Sequence, residues 1–259
     1  MKVATWNVNS VKARIEAVLG WLKEAQPDVV GFQELKCMDE AFPRLEIEAL
    51  GYNVETFGQK TYNGVAILSK HPIEEVTRGL PSFDDVQSRY IEAIIAPKGA
   101  KPIRFACLYL PNGNPVASEK YPYKLSWMAA LQARVETLLP LEESLIVAGD
   151  YNVIPTADDV HDPAAWANDA LFLPTTRAAY RRIANLGLTD AVHACNVLPD
   201  NYTFWDYQAG AWPKNNGIRI DHLLLSSQAA DRLAGAGIDR HVRGWDKASD
   251  HVPAWCLLN

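Results

Sequence analysis

The sequence of 259 residues predicts an α/β fold in which two packed mixed sheets are covered on the outside by helices. Short apolar runs with strand character follow one another directly in several places, which is typical of neighbouring strands in a sheet. A few longer segments repeat apolar residues at helical spacing and would supply the covering layers. Apolar residues form 48% of the chain, so a large core can be filled.

In the N-terminal half, a first strand ending at Asn7 is followed by two helices and five further strands. Ser10 can cap a helix whose apolar residues recur at helical spacing until Pro27 stops it. A second helix is expected at residues 42–50, ending at Gly51. The strand patterns lie at residues 29–32, 52–56, 65–68, 90–96 and 103–110.

In the C-terminal half, a long helix is predicted at residues 123–139 between Pro122 and Pro140, and the strand SLIVAG follows it directly. Residues 156–175 are rich in aspartate and read as a loop with one short helical turn. A helix at residues 177–186 should stop at Gly187. An irregular aromatic stretch then precedes the last strands, at residues 218–225 and 252–257.

The net negative charge of the chain weakly disfavours binding of a polyanionic ligand. Lysine and arginine number 25 against 31 aspartates and glutamates, a formal charge of −6, so a nucleic acid would need a locally basic face. Apolar runs fall short of the roughly eighteen residues of a membrane span, and the N-terminus soon turns polar. We therefore expect a cytoplasmic protein with no membrane partner, and a monomer because no apolar stripe is evident. Cys107 and Cys256 are interpreted as reduced core thiols.

Five apolar runs, spread from one end of the chain to the other, each end in an acid, an amide or a histidine. A buried strand with such an ending places the polar group at the rim of a sheet. Oxygen-rich endings favour a hard divalent ion, Mg²⁺ with Mn²⁺ as a substitute, over zinc. The residues are Asn7 and Asn9, Glu34, Asp150 and Asn152, Asp221, and Asp250 and His251. If they share one site, residues 1–259 form a single catalytic domain.

Each ending also has a simpler interpretation. Glu34 could be a solvated acid, and Asp150 with Asn152 could form an Asx turn. As parts of a site, Asp150 would position or deprotonate water while Asn152 hydrogen-bonds the same water or a phosphate oxygen. Asp221 could hold His251 in one tautomer or keep it protonated, so that the histidine donates to a phosphoryl oxygen.

Further aromatic and amide residues stand near these endings. Tyr109 and Asn112 lie in LYLPNG, where the phenol can hydrogen-bond phosphate, although a half-buried structural tyrosine fits equally well. The stretch YTFWDYQAGAW supplies Phe204, Trp205 and Trp212, which are suited either to stacking on bases or simply to packing. A serine hydrolase is a poor fit because the sequence has no GxSxG motif.

The first and middle parts of the chain echo one another. AxWNVNS and VAGDYNV both place an acid or amide and then an asparagine after an apolar strand. Two related halves that face each other would bring both strand ends to a common cleft.

Nine motifs along the whole chain resemble the exonuclease III family of apurinic/apyrimidinic endonucleases, within the endonuclease/exonuclease/phosphatase superfamily. They are TWNVNSVKAR, PDVVGFQELK, YNGVAILSK, LYLPNG, GDYNVIP, LGLTDA, YTFWDY, GIRIDHLLLS and SDHVP, in the order of that family. The resemblance implies a four-layer α-β-β-α sandwich of two mixed sheets flanked by helices. It also implies Mg²⁺-dependent hydrolysis of the phosphodiester 5′ to abasic sites in duplex DNA, with 3′-5′ exonuclease and 3′-phosphatase activity at 3′ ends.

The resemblance further implies roles for individual residues. The implied metal ligands are Asn7, Glu34, Asp150, Asn152 and Asp250, and the implied catalytic residues are Tyr109, Asp150, Asn152, Asp221 and His251. Candidate substrate contacts are Asn9, Asn112, Phe204 and Trp205, the additional aromatic Trp212, and the basic residues Lys12, Arg14, Lys36, Lys124, Arg177 and Lys214. The number of metals stays open, as does the choice between Asp150 and the Asp221–His251 pair as the base.

Two alternatives remain beside a DNA repair nuclease. A non-catalytic RNA-regulatory protein on the same fold would have lost metal and catalytic positions that are present here. A phosphodiesterase or phosphatase acting on a phosphoinositide, a sphingolipid or free nucleotides would have no use for the aromatic loop. Ile218 stands where the family pattern is aromatic, which leaves the character of the pocket wall open.

Overall fold

The computed structural model describes residues 1–195 and 200–259, which form two six-stranded mixed sheets with helices. The strands are β1 (Lys2–Asn7), β2 (Val29–Gln33), β3 (Asn53–Phe57), β4 (Val65–Ser69), β5 (Ile73–Arg78), β6 (Tyr90–Ile95), β7 (Ile103–Tyr109), β8 (Ser144–Asp150), β9 (Thr189–Asp190), β10 (Asp221–Leu225), β11 (Leu233–Ile238) and β12 (Ala254–Leu258). The helices are α1 (Ile15–Ala25), α2 (Arg44–Glu48), α3 (Lys120–Leu138), α4 (Pro174–Ala184), α5 (Ala191–Ala194) and α6 (Ser227–Ala230).

The two sheets share one pattern of strand directions. The first has the order β11-β12-β1-β2-β4-β3 and the second the order β5-β6-β7-β8-β10-β9. At the centre of each sheet lies a parallel pair, β1 with β2 and β7 with β8. Parallel neighbours end at the same edge, so Asn7 lies opposite Gln33 and Tyr109 lies opposite Asp150. These four strand ends position the polar site.

Three apolar layers hold the sheets and helices together. Between the sheets, Val29, Phe105 and Ile146 belong to one buried cluster. Outside the first sheet, Trp21 of α1 meets Trp6 edge to face, with ring centroids 5.4 Å apart. Outside the second sheet, α3 and α4 pack on β8. Each large apolar side chain buried in this way contributes about 1.5–3 kcal/mol. The predicted four-layer α-β-β-α sandwich is confirmed.

Most predicted helices and strands are present, with shifted ends. The helix expected after Ser10 begins only at Ile15, because Ser10 has a φ of 81° and the chain first continues along the edge of the sheet. α3 begins at Lys120, so Pro122 lies in its first turn, where no backbone N–H is needed. The strand expected from residue 218 begins at Asp221. Within the described residues, no helix has the length and apolar character needed to cross a membrane.

Three strands and two short helices are not predicted by the sequence patterns. β5 is an edge strand with no fully buried residue, and it lacks an apolar run. β11 reads LAGAGI, and its two glycines hide its strand character. At Gly237 a side chain would collide with the ring of Trp255, with ring atoms 2.5 Å from the position of a Cβ. β9, α5 and α6 are too short to leave a periodic pattern.

A buried ion network ties α3 to the second sheet. Glu92 on β6 is fully buried, and it accepts hydrogen bonds from Arg104 at 2.8 Å, from Arg134 at 2.7 Å and from the Tyr90 hydroxyl at 2.5 Å. Burial alone would raise the pKa of Glu92, but the hydrogen bonds from Arg134, Tyr90 and Arg104 hold it below 4.5. Glu92 is therefore ionised at neutral pH.

Replacing Glu92→Gln should lower the free energy of unfolding at neutral pH by about 3–5 kcal/mol, because two arginines lose their buried counter-ion. Since the folded-state pKa is depressed, the contribution of Glu92 is present above about 4.5 and is lost as pH falls below that value. Urea unfolding from neutral pH to about pH 3 should therefore show the wild-type advantage shrinking. The exposed Glu46→Gln serves as the control. A difference that does not change with pH would contradict this assignment.

Candidate active site

Acidic and imidazole side chains from both sheets converge where the parallel strand pairs end. Glu34 follows β2, Asp150 ends β8, and His251 lies just before β12. One ligand atom of each residue lies within 4.8 Å of those of the other two. The structure thus brings together three predicted residues that are far apart in the sequence.

Asn7, the last residue of β1, joins the two carboxylates. Its Nδ2 donates to Oε1 of Glu34 at 2.8 Å and to Oδ2 of Asp150 at 2.9 Å. Its Oδ1 accepts the backbone N–H of Asn9 at 3.0 Å. Hydrogen bonds from a buried amide to ionised acceptors are strong and directional. Asn7 therefore orients both acids, and its direct contact with a metal stays a prediction.

Lys36 balances the charge of Glu34 on the outer side of the site. Its Nζ lies 2.9 Å from Oε2 of Glu34 and donates to Oδ1 of Asn9 at 2.6 Å. Asn9 in turn donates from Nδ2 to Oδ1 of Asp250 at 3.0 Å. Burial alone would raise the pKa of Glu34, but Lys36 and the hydrogen bond from Asn7 lower it. Glu34 is therefore an anion at neutral pH, and Asp250, held by Asn9, lines the same cavity.

His251 lies between two carboxylates. Its Nδ1 is 2.9 Å from Oδ2 of Asp221, and its Nε2 is 3.7 Å from Oδ2 of Asp150. Burial lowers the pKa of His251, but Asp221 and Asp150 reverse this and raise it well above the ordinary value. Burial also raises the pKa of Asp150, against the lowering effect of His251 and with a further increase from Asp221. The imidazole is thus a proton donor, and Asp150 is more basic than an ordinary aspartate.

The loops after β7 and β8 are joined through Asn152. Its Nδ2 donates to the Leu110 carbonyl at 2.9 Å, and its Oδ1 accepts from Nδ2 of Asn112 at 3.0 Å. Its backbone N–H donates to Oδ1 of Asp150 at 2.9 Å. The Asx turn predicted as an alternative is therefore present within the site itself. The roles of Asn152 and Asn112 toward a metal or phosphate stay predictions.

Tyr109 closes one side of the acidic group. Its ring stacks under the guanidinium of Arg89, with 4.7 Å between Cζ and the ring centroid. Burial raises the pKa of Tyr109 well above its ordinary value, and the negative charges of Glu34 and Asp150 raise it further. The phenol therefore stays protonated and can donate a hydrogen bond to an anionic ligand.

Several residues of the site have left-handed backbone conformations. Asn9, Glu34, Lys36 and Asn152 all have positive φ angles, of 44°, 54°, 55° and 47°. Such angles are uncommon outside glycine and carry a small cost in conformational energy. They turn each chain sharply as it leaves its strand, so the side chains point into one common space.

A cavity of about 300 Å³ opens on these groups and has a partly apolar wall. Phe204 lies on this wall, with its ring centroid 4.9 Å from that of His251. The wall also includes Trp166, Leu171, Ile218 and Ile220, and the polar lining includes Asn114, Asp169 and Asp206. Trp166, Leu171, Asn114 and Asp169 were missed in the sequence because they lie in irregular loops without a pattern. Trp166 supplies the aromatic surface that Ile218 does not.

The donor set fits a hard divalent cation. Glu34 and Asp150 offer carboxylate oxygens close enough to share one ion, and such oxygens are the preferred ligands of Mg²⁺ and Mn²⁺. His251 completes the compact group, but its raised pKa makes it a better hydrogen-bond donor than a ligand. The acidic pair can therefore hold a metal beside a group that donates a proton.

Two predicted substrate contacts are wrong because the side chains are buried. Lys124 on α3 is 0% exposed, and its Nζ donates to the backbone carbonyls of Asn112 and Asn152. Trp205 is also 0% exposed and donates from Nε1 to Oδ1 of Asn215 at 3.2 Å. A base or phosphate cannot reach either side chain.

Two other predicted contacts lie outside the cavity lining. Trp212 packs edge to face on Trp205, with centroids 4.9 Å apart, and is half-buried. Arg177 on α4 stacks over the ring of Phe172 at 4.5 Å. Both are occupied by packing within the protein, so their contact with a substrate stays a prediction.

Comparison with known proteins gives full-length relatives. The sequence profile of the Endonuclease/Exonuclease/phosphatase family matches residues 4–251. Exodeoxyribonuclease III of Haemophilus influenzae is 35% identical over 269 residues, which cover 98% of each chain. An AP endonuclease from Archaeoglobus fulgidus has a TM-score of 0.95 and 35% identity, covering 100% of this chain and 99% of its own. The 3′-5′ exonuclease NExo from Neisseria meningitidis has a TM-score of 0.95 and 34% identity, covering 100% of both chains.

Removing the amide that orients the two acids should weaken metal binding. For Asn7→Ala, calorimetric titration with Mn²⁺ in the absence of substrate should give a dissociation constant about 10–100-fold higher than that of the wild type. The exposed Asn185→Ala is the matched control and should bind as the wild type does. Equal affinities for all three proteins would show that Glu34 and Asp150 do not hold the ion through this arrangement.

Proposed function

Because the chain belongs to the Endonuclease/Exonuclease/phosphatase family and is an enzyme of the nuclease and phosphodiesterase type, we propose that it is a Mg²⁺-dependent DNA repair nuclease. It hydrolyses the phosphodiester 5′ to an abasic site in duplex DNA and also acts on 3′ ends as an exonuclease and phosphatase. One relative is described as a 3′ phosphatase bound to a product DNA hairpin, at 33% identity over 100% of this chain. Residues 1–259 act as one catalytic domain, since the site takes residues from both ends.

The acids and the histidine have separate tasks in this reaction. A divalent cation held by Glu34, beside Asp150, would neutralise charge on the phosphate and lower the pKa of a nearby water. His251 donates a hydrogen bond from Nε2 to a non-bridging phosphate oxygen, where negative charge grows during displacement. Asp221 keeps the imidazole charged and fixes its orientation through the 2.9 Å bond to Nδ1.

Asp150 is the better candidate for the base. His251 is already protonated between two carboxylates, so it has no free lone pair to accept a proton from water. The pKa of Asp150 is raised by burial, which brings its basicity closer to that needed near neutral pH. The backbone N–H of Asn152 holds Oδ1 of Asp150 and the amide of Asn7 holds Oδ2, so the orientation of the carboxylate is fixed at both oxygens.

The observation that carries the choice of substrate is the apolar-walled cavity next to His251. Phe204, Trp166 and Ile218 line a space of about 300 Å³ that opens directly on the phosphate-handling groups. A deoxyribose without a base presents a small, partly apolar surface that suits such a wall. The charged headgroup of a phosphoinositide would instead need cationic partners there, which makes a lipid substrate the weaker proposal. The complete set of acids, amides and imidazole likewise disfavours a non-catalytic RNA-regulatory role.

The first test uses a duplex carrying one tetrahydrofuran analogue of an abasic site. Incision immediately 5′ to the analogue should occur with Mg²⁺ and stop after addition of EDTA, because the acids need a cation to accept the phosphate. Products are resolved on a denaturing gel. Trimming from the 3′ end without incision would replace the endonuclease assignment by that of an exonuclease, and inactivity on both would refute a DNA substrate.

The second test addresses the roles of Asp150 as the base and of His251 as the hydrogen-bond donor. Asp150→Asn and His251→Asn should each lower kcat by about 10²-fold or more, since each removes a proton acceptor or donor of the transition state. Exposed residues of the same types provide the controls Asp231→Asn and His193→Asn, for which wild-type rates are expected. Near-normal rates for either site variant would mean that the role assigned to that residue is wrong.

A further inference from the structure

Lys124 is a fully buried lysine that the proposed mechanism leaves without a task. It lies on the inner face of α3 together with Trp127, Met128 and Leu131. Its Nζ donates to the carbonyl oxygen of Asn112 at 2.9 Å and to that of Asn152 at 2.6 Å. Placing an ammonium group away from water is costly, so such a position calls for a reason.

The two carbonyl groups belong to the two loops that shape the active site. β7 and β8 end side by side at Tyr109 and Asp150, and beyond these residues the strand pairing stops. The hydrogen bond from Lys124 to the carbonyl of Asn152 is buried and that to the carbonyl of Asn112 is partly buried, so the Asn152 carbonyl in particular needs a donor from elsewhere. A single ammonium has three N–H donors on one atom, so it can bridge both loops and still has a donor to spare.

The bridged residues lead directly to the catalytic carboxylate. Asn152 has a φ of +47° and donates its backbone N–H to Asp150. Its side chain is linked to the β7 loop through Leu110 and Asn112. A shift of the Asn152 carbonyl would therefore move the N–H that orients Asp150. Displacements of this kind need only about 1 Å to reduce a rate strongly.

The loop after β7 is closely fitted to the stem of this lysine. Gly113 has a φ of +91°, and a Cβ at this position would lie 2.7 Å from Cδ of Lys124. The chain thus folds over the aliphatic part of Lys124 while its Nζ reaches both loops. The contact depends on a residue with no side chain, in a conformation that glycine adopts readily.

We propose that Lys124 is a positioning residue, which acts on catalysis by bridging the loops after β7 and β8 and so fixing Asn152 and Asp150, without touching the substrate. This proposal rests on the proposed function for the reaction that it serves. It assigns a task to the only fully buried lysine among the described residues.

The test compares Lys124→Met, which keeps the length of the side chain, with Lys98→Met, an exposed lysine at the opposite end of β7. On the abasic duplex, Lys124→Met should lower kcat by about 10-fold or more while KM changes by less than about 2-fold. Lys98→Met should match the wild type. A rise in KM with unchanged kcat would mean that Lys124 serves substrate binding, and unchanged kinetics would overturn the proposal.

A double-mutant cycle separates positioning from a general structural effect. In an Asp150→Asn background, Lys124→Met should lower kcat by less than about 2-fold, because the carboxylate that Lys124 positions through the backbone of Asn152 is already absent. Fully additive losses would show that Lys124 acts elsewhere and would overturn the proposal. If Lys124→Met does not fold, Gly113→Ala takes its place in the cycle, since it keeps the ammonium but displaces its stem, and the same criteria apply.

A second substrate keeps this result independent of the choice of DNA lesion. The same variants are measured on bis(4-nitrophenyl) phosphate, a minimal phosphodiester with no abasic sugar. The same loss of kcat on this substrate supports the positioning role even if the wild type fails to incise the abasic duplex. If the wild type incises the duplex and Lys124→Met is unaffected on both substrates, the positioning role of Lys124 is refuted while the proposed function stands.

Discussion

The active site depends on keeping several carboxylates close together away from water. Asp150 and Asp221 are almost completely buried, and Glu34 lies beside Asp150. Like charges at this distance would repel each other strongly in a medium of low dielectric constant. The protein opposes this with the amide of Asn7 between Glu34 and Asp150, and with the charged imidazole of His251 between Asp150 and Asp221. A bound cation would complete the same balance, so metal affinity and the arrangement of the acids have one physical origin.

The sequence patterns predicted one part of the internal repeat correctly and another part wrongly. Each half of the chain supplies a parallel pair with a crossover helix, β1-α1-β2 and β7-α3-β8, followed by two strands of the same sheet. The hairpin β5-β6 that ends the first half lies in the second sheet, and the hairpin β11-β12 that ends the second half lies in the first sheet. This exchange interlocks the two halves. The expectation that both strand ends reach a common cleft is therefore right. The pairing of WNVNS with GDYN is wrong, because β1 corresponds to β7 in this topology, while Asp150 ends the strand that corresponds to β2.

The fold and most of the site could be predicted because they rest on local signals. A buried strand that ends in an acid is visible in the sequence, and five such endings identify the converging groups. Burial of a charged side chain leaves no comparable signal. Lys36 pairs with Glu34 at the rim, whereas Lys124 lies beneath the loops and donates to backbone carbonyls. The burial of tryptophans was equally hard to predict. Trp205, in the motif YTFWDY, is packed inside the protein, whereas Trp166, in a loop without a motif, lines the cavity.

The formal charge of −6 is a poor guide to the surface that a polyanion would meet. Glu92, Asp159 and Asp190 are each paired with a buried arginine, so their charges are compensated inside the protein. Around the site, by contrast, Arg14 donates to the hydroxyl of Tyr207, and Arg243 stacks on the same ring at 5.0 Å. Neither guanidinium has an acidic partner among the ion pairs of the described residues, and the Tyr207 hydroxyl also accepts from Nδ2 of Asn9 at 3.5 Å, so both charges lie near the site without being neutralised. An acidic protein can therefore present a locally basic rim, since the field near a ligand depends on where charges are neutralised and not on their sum.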